Sequence, residues 1–227
     1  MNFHRLMAVP VAALVISSTS YPAFAASDST KTVSSANTVL QEFVNSKRIP
    51  PRILQNSQGI AIIPNVVQAA FFLGGRRGQG VMMLRNSNGS WSNPVIMTLT
   101  SGSLGLQVGA KSSDIIMAFQ DNESIRKVYN SDFRLGGSVS GTAGPTGADA
   151  VYPTDSTGNI YTYVKSEGLF GGVALSGMKL DYDDDKTADL YGQRNITARQ
   201  VFTGTSVTPP TIVGDLQRTL SRAISSR

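Results

Sequence analysis

The chain of 227 residues contains no cysteine, and its only histidine is His4. No disulfide can form, and Cys-His nucleophile pairs and the usual zinc ligand sets are excluded. If the first 25 residues are removed, as argued below, the histidine goes with them. The commonest general base and every Ser-His-Asp arrangement are then lost as well. Aromatic residues make up only 7% of the chain, and no stripe of Lys and Arg is interleaved with them, so nucleic acid is not an expected partner.

Long apolar runs are also missing. The longest near-continuous one, residues 6–16, is too short to cross a bilayer as a helix. It follows Arg5 and precedes Ala23-Phe24-Ala25, the order of a basic n-region, an apolar core and a small-residue cleavage site. Residues 1–25 therefore read as a signal peptide, with Ala26 as the mature start and a periplasmic or secreted destination. The position after the cleavage site is not cysteine, so the pattern is not that of a lipid-modified N-terminus. Loss of Arg5 leaves 19 basic residues against 15 acidic ones, a mild excess that favours anionic surfaces without requiring one.

What the chain does have is glycine, 22 residues of it, set among short apolar runs. Residues 59–81, GIAIIPNVVQAAFFLGGRRGQGV, are the densest stretch. Ile60 to Ile63 predicts a buried strand that Pro64 ends. Gly74, Gly75, Gly78 and Gly80 then bracket Arg76 and Arg77 in an expected glycine turn, followed by a strand from Val81. Such a turn has two readings. It cradles a phosphate between backbone N–H groups and two guanidinium groups, or it is a hairpin whose arginines face water.

Residues 26–32 are small and polar, an expected disordered lead-in, and 33–227 are expected to form one domain. Val33, Ala36, Leu40, Phe43 and Val44 recur at helical spacing and predict an amphipathic helix over 32–46. Pro50 and Pro51 stop it and start a short helix carrying Ile53 and Leu54. Asn86 to Gly89 is a hairpin signal. Residues 114–119 and 133–140 read as strands, 122–129 as a helix capped by Asn122, and 141–157 as a long loop. A strand from Ile160 precedes a turn at Gly168, and in the run 169–180 Gly171, Gly172 and Gly177 imply sharp bends. Residues 190–201 predict a helix, and a last one follows Pro209-Pro210 with Ile212, Leu216, Leu220 and Ile224 on one face.

Asp181, Asp183 and Asp185 occupy the first, third and fifth positions of an EF-hand-like loop. The sixth is Lys186 where glycine is required, and the twelfth is Gly192 where a bidentate Glu belongs. The pattern fails, and an acidic turn is the expectation; no metal or cofactor is expected. Lys111-Ser112 and Lys165-Ser166 offer Ser-Lys pairs, but neighbours on a strand point to opposite faces. Lys47, Arg48 and Arg52 follow an amphipathic helix, which suits attachment to an anionic membrane. The alternative is that Leu40, Phe43 and Val44 pack on the sheet while the charges are solvated.

The glycine texture recurs in a fixed order: Trp91-Ser92-Asn93-Pro94, Ser103-Leu104-Gly105, Gly141-Thr142-Ala143-Gly144-Pro145, Lys165-Ser166-Glu167-Gly168-Leu169-Phe170-Gly171-Gly172, Ser176-Gly177 and Tyr191-Gly192. From about Ser34 to the C-terminus this series resembles the SYLF family of lipid-binding domains, in its bacterial secreted form. Glu167 and Asp189 depart from the family's pattern. The resemblance implies lipid binding. Eukaryotic members bind phosphoinositides through a basic, amphipathic N-terminal segment, and some bind actin filaments. By position, that contact falls on Lys31, Lys47, Arg48 and Arg52.

These readings converge on an α+β fold: a curved, mostly antiparallel β-sheet or partial barrel with helices at both termini. The expected function is non-catalytic binding of anionic phospholipid in the cell envelope through Lys31, Lys47, Arg48, Arg52, Arg76 and Arg77. The competing expectation is an envelope structural or protein-interaction module that presents Gly-rich loops.

Overall fold

The computed structural model describes residues 27–70, 74–103, 109–129, 141–143, 160–166, 169–171, 178–205 and 207–225. In chain order these form α1 (Asp28–Asn45), α2 (Pro51–Asn56), β1 (Gly59–Ala70), β2 (Gly74–Leu84), β3 (Val95–Ser103), β4 (Gly109–Phe119), α3 (Asn122–Tyr129), β5 (Gly141–Ala143), β6 (Ile160–Ser166), β7 (Leu169–Gly171), β8 (Met178–Tyr182), α4 (Asp184–Tyr191), α5 (Ala198–Thr203) and α6 (Thr211–Ser225). The strands make one sheet in the order β5-β6-β4-β1-β2-β3-β8, with β7 beside β6. Every pairing is antiparallel except β5 with β6. The expected α+β class, a curved antiparallel sheet with helices at both ends of the chain, is what the structure has.

The sheet is curled, and the position of α3 shows why it must be. That helix touches both β4 and β8, which are four strand spacings apart in the sheet. On a flat sheet this is about 19 Å, wider than a helix of 10–12 Å diameter. The sheet therefore bends toward α3. A side chain added at Gly59 would meet Ile125 of α3, so Gly59 faces this inner side. Strand alternation and register then put Ala61, Ile63, Met97, Leu99, Met117, Phe119 and Leu180 on the inner face, all buried. Ile60, Ile62, Val81, Ile96 and Ile116 point outward and are buried under helices.

Strand β1 runs straight through Pro64, contrary to the expectation that proline ends it. The register with β2 and β4 shifts between Ile62 and Val67, and Asn65 takes φ 50°. A bulge is where a residue without N–H fits inside a sheet. The Asp114 carboxylate accepts the Asn65 N–H at 2.9 Å and steadies the bulge. Opposite it, a Cβ on Gly78 would lie 2.8 Å from Val66 Cγ2, and one on Gly80 would lie 2.7 Å from Ile63 Cα. These glycines are the space into which the bulge folds. The stretch 74–80 is thus central strand, hydrogen-bonded to β1 on one side and β3 on the other. It is not a glycine turn, and its backbone N–H groups are not arrayed around a phosphate.

On the outer face, α1 lies across β1 and β2 and packs against α6 and α4. Val33, Ala36, Leu40 and Phe43 are fully buried beneath it, so the predicted apolar stripe serves the core. The helix starts four residues before the periodicity suggests, because the Ser27 hydroxyl accepts the Thr30 N–H and caps it. This shortens the expected polar lead-in. Pro50 and Pro51 open α2 as expected. Along α6, Val213, Leu216, Leu220 and Ala223 are buried, and Gln217 Nε2 donates to the carbonyls of Trp91 and Ser92 at 3.2 and 3.1 Å.

Three local expectations are corrected. The cap of α3 is Asp121, whose carboxylate accepts the Ser124 N–H at 2.7 Å, rather than Asn122. The acidic segment is the start of α4 rather than a turn: Asp183 accepts the Lys186 N–H, and Asp184 and Asp185 fill the first turn, where the helix dipole favours negative charge. The helix expected over 190–201 is split at Gly192, which adopts φ 62° as the α4 C-cap; α5 starts anew at Thr197. The Asn86–Gly89 hairpin forms as expected, with Gly89 at φ 83°. The expected leader, the strand over 133–140, most of the 141–157 loop and the turns at Gly168, Gly172 and Gly177 lie outside the described residues.

Candidate functional site

The C-terminal end of α1 carries the first part of the site. Past the cap residue Ser46, Lys47 adopts φ 54°, and the Arg48 N–H reaches back to the Phe43 carbonyl at 3.1 Å. This is a Schellman-type ending, in which glycine usually fills the left-handed position. Here a lysine fills it, at a cost of about 1 kcal/mol. Lys47, Arg48 and the α2 residue Arg52 are all exposed, and the stretch 46–52 contains no carboxylate. The nearest acid on α1, Glu42, forms an ion pair with Lys165 of β6. That pair ties this end of α1 to the outer face of the sheet.

The second part lies on the same face, at the end of the sheet that α1 leaves uncovered. Because Gly78 faces inward, its neighbour Arg77 faces out, and register sets Lys179 (β8), Thr100 (β3), Arg77 (β2), Val67 (β1) and Ser112 (β4) side by side in one row. Arg77 and Ser112 are exposed, and Thr100 and Lys179 are half-buried. Val67 is 49% exposed, the large apolar side chain most open to water among the described residues. None of these five residues is an acid. Asp181 and Asp114 belong to the next row, where Asp181 pairs with Lys179 at 2.8 Å and Asp114 holds the bulge. Arg76 is on β2 beside Arg77, but its side chain lies outside the described residues.

Lys31 is not brought into this arrangement. It sits in the first turns of α1, paired with Asp28 at 3.0 Å, and holds that carboxyl below the usual range. From Lys31 to Asn45 the helix rises about 21 Å. Its end of α1 packs on α4, where the hydroxyls of Ser29 and Ser27 keep the Asp189 carboxyl below its ordinary value. Beside it, between α4 and α5, is an open cleft of about 760 Å³ lined by Asp184, Asp185, Asp189, Arg194 and Thr197. Among the described residues no group of three carboxylates is gathered to hold a metal ion.

Sequence reading named the cations and missed Val67. The valine lies within a second apolar run, 66–73, in which no local spacing marks it as exposed. Only the pairing with Arg77 and Ser112 reveals it as surface. Of the two Ser-Lys pairs, Lys165 is engaged by Glu42 and Ser112 stands in the exposed row.

A family model described as "Las17-binding protein actin regulator", Ysc84, matches residues 100–223. The chain is 32% identical over 193 residues to LAS seventeen-binding protein 3 of Saccharomyces cerevisiae, covering 82% of this chain and 41% of that protein. It is 33% identical over 175 residues to Protein YSC84 of the same yeast, covering 75% of this chain and 37% of that one. Similarity to SH3 domain-containing YSC84-like protein 1 of Xenopus laevis is 29% over 176 residues, 73% of this chain and 52% of the relative. These relatives are eukaryotic, and the chain spans about half their length or less. The family description and the name of the first of these relatives are those of binding and regulatory proteins, and none of the names is that of an enzyme. The family match over more than half of the chain, together with 32% identity over 82% of it to LAS seventeen-binding protein 3, makes this chain a member of the Ysc84, or SYLF, family.

Proposed function

We propose that the protein is a non-catalytic binding module that attaches to anionic phospholipid at a membrane surface. The observation that carries this reading is the basic turn. Three exposed cations, Lys47, Arg48 and Arg52, stand within six residues, with no carboxylate among them, on a turn held rigid between two packed helices. Each basic residue near an anionic leaflet contributes about 1 kcal/mol. Such a turn needs no pocket, only a charged plane. Residues 1–25 act in this reading as an export signal, which makes envelope phospholipid the ligand; N-terminal sequencing of the secreted protein should return Ala26.

Sedimentation with vesicles tests the reading. Residues 26–227 should pellet with anionic and not zwitterionic vesicles, less as salt rises, and the triple change of Lys47, Arg48 and Arg52 to Ala should abolish most of the binding. Wild-type protein left in the supernatant with every lipid would overturn it. The relatives' names favour a second reading, a docking module for a protein partner. In that case a pulled-down partner would be retained by the triple variant.

A further inference from the structure

We propose that the uncovered row of the sheet, Lys179, Thr100, Arg77, Val67 and Ser112, is a second contact with the same anionic bilayer. The domain would then rest on the upper end of its outer face, with α3 turned away. This rests on the lipid reading above and adds the surface, the orientation and the anchoring residues.

Four observations support it. The row lies on the outer, convex side of the curled sheet: five side chains on adjacent strands, spaced about 4.8 Å apart, with no concavity between them. A bilayer fits such a surface, whereas a peptide or small molecule has no recess to enter. Its exposed charge is positive, from Arg77, with Lys179 at the margin held by Asp181 of the next row. Between Arg77 and Ser112, Val67 offers an apolar side chain to solvent. An apolar residue flanked by an arginine and small hydroxyls suits the boundary between headgroups and acyl chains. Finally, the row adjoins the basic turn. Ser112 lies two residues, about 6.7 Å, along β4 from Asp114, which pairs in register with the Lys165 that Glu42 of α1 engages. Lys47 follows Glu42 by little more than a turn of helix. Turn and row thus share one face, and a single leaflet can meet both.

The absence of cysteine makes the test direct, since one introduced cysteine is a unique labelling site. Val67→Cys carrying an environment-sensitive fluorophore should brighten and shift to the blue with anionic vesicles. The same label at Ser90→Cys, on the exposed β2–β3 turn at the other end of the sheet, should not respond. In parallel, unlabelled Arg77→Gln should lower the vesicle partition coefficient about fivefold, the contribution of one basic residue at an anionic surface. Protein that pellets with vesicles while position 67 stays silent and Arg77→Gln binds normally would overturn this orientation and leave the basic turn as the site. Protein that never pellets would overturn both.

Discussion

Strand β2 shows two faces of one sheet put to different uses. Its inward positions, Gly78 and Gly80, carry no side chain because the β1 bulge occupies their space. Its outward positions run from buried Val81, through half-buried Gln79, to exposed Arg77. Inside, curvature leaves no room for a Cβ. Outside, helices cover the lower rows and leave the Arg77 row open. Alternate residues of a single glycine- and arginine-rich segment therefore answer to separate demands, one of packing and one of surface chemistry. A motif reading that treats the segment as one loop merges the two.

The contrast can be broken most strongly from the inside. Gly80→Ala drives a methyl into the backbone of Ile62 and Ile63 and should destabilise the fold by about 3 kcal/mol, measured by urea unfolding. On the outer side, polar contacts tie the helices to the sheet and its loops. Tyr191→Phe removes the buried hydrogen bond from the Tyr191 hydroxyl to the Pro94 carbonyl, 2.6 Å long, and leaves that carbonyl without its donor. A loss of about 1–2 kcal/mol is expected.

Lys47→Gly separates stability from attachment. It relieves a left-handed lysine and should raise stability by about 1 kcal/mol while weakening vesicle binding. A drop in both would mean the lysine is structural. Arg77→Gln, one position from Gly78, should change stability by less than about 0.5 kcal/mol; a larger loss would erase the distinction between the faces.

The smallest effect concerns pH at the α1–α4 contact. The Asp189 carboxyl is held below the usual range, chiefly by the Ser29 hydroxyl. Its folded value therefore lies beneath the unfolded one of about 3.9. The stability it contributes is present above about pH 4 and is lost as pH falls through the folded value. Asp189→Asn should flatten that acid limb in melting curves and leave neutral behaviour nearly unchanged.

Much of the framework was legible beforehand because it depends on local rules. Helical spacing marked α1 and α6, the proline pair marked the α1–α2 junction, and Asn86 to Gly89 marked a turn. The misreadings lie where long-range pairing overrides local preference. Pro64 stays in its strand because a bulge there is braced from β4 by Asp114. The segment 74–80 extends because β1 and β3 supply partners for its backbone on both sides. The acidic run becomes a helix because Asp183 caps it and accepts the Thr98 hydroxyl at 2.9 Å.

The candidate site divides in the same way. Residues 46–52 announce a cluster of three cations without an acid, since neighbours in sequence on a tight turn remain neighbours in space. Helical rise already sets Lys31 apart at the opposite end of α1; that this end packs on α4 was not legible. By itself, then, the sequence determined the helices with clear apolar stripes, the cysteine-free chemistry and the basic turn, all of which follow from composition and short-range spacing. Only the tertiary structure decided which face of β2 is closed and which is open. That choice depends on the curl of the sheet and on how far α1 reaches across it, and both are set by contacts between residues distant in the chain.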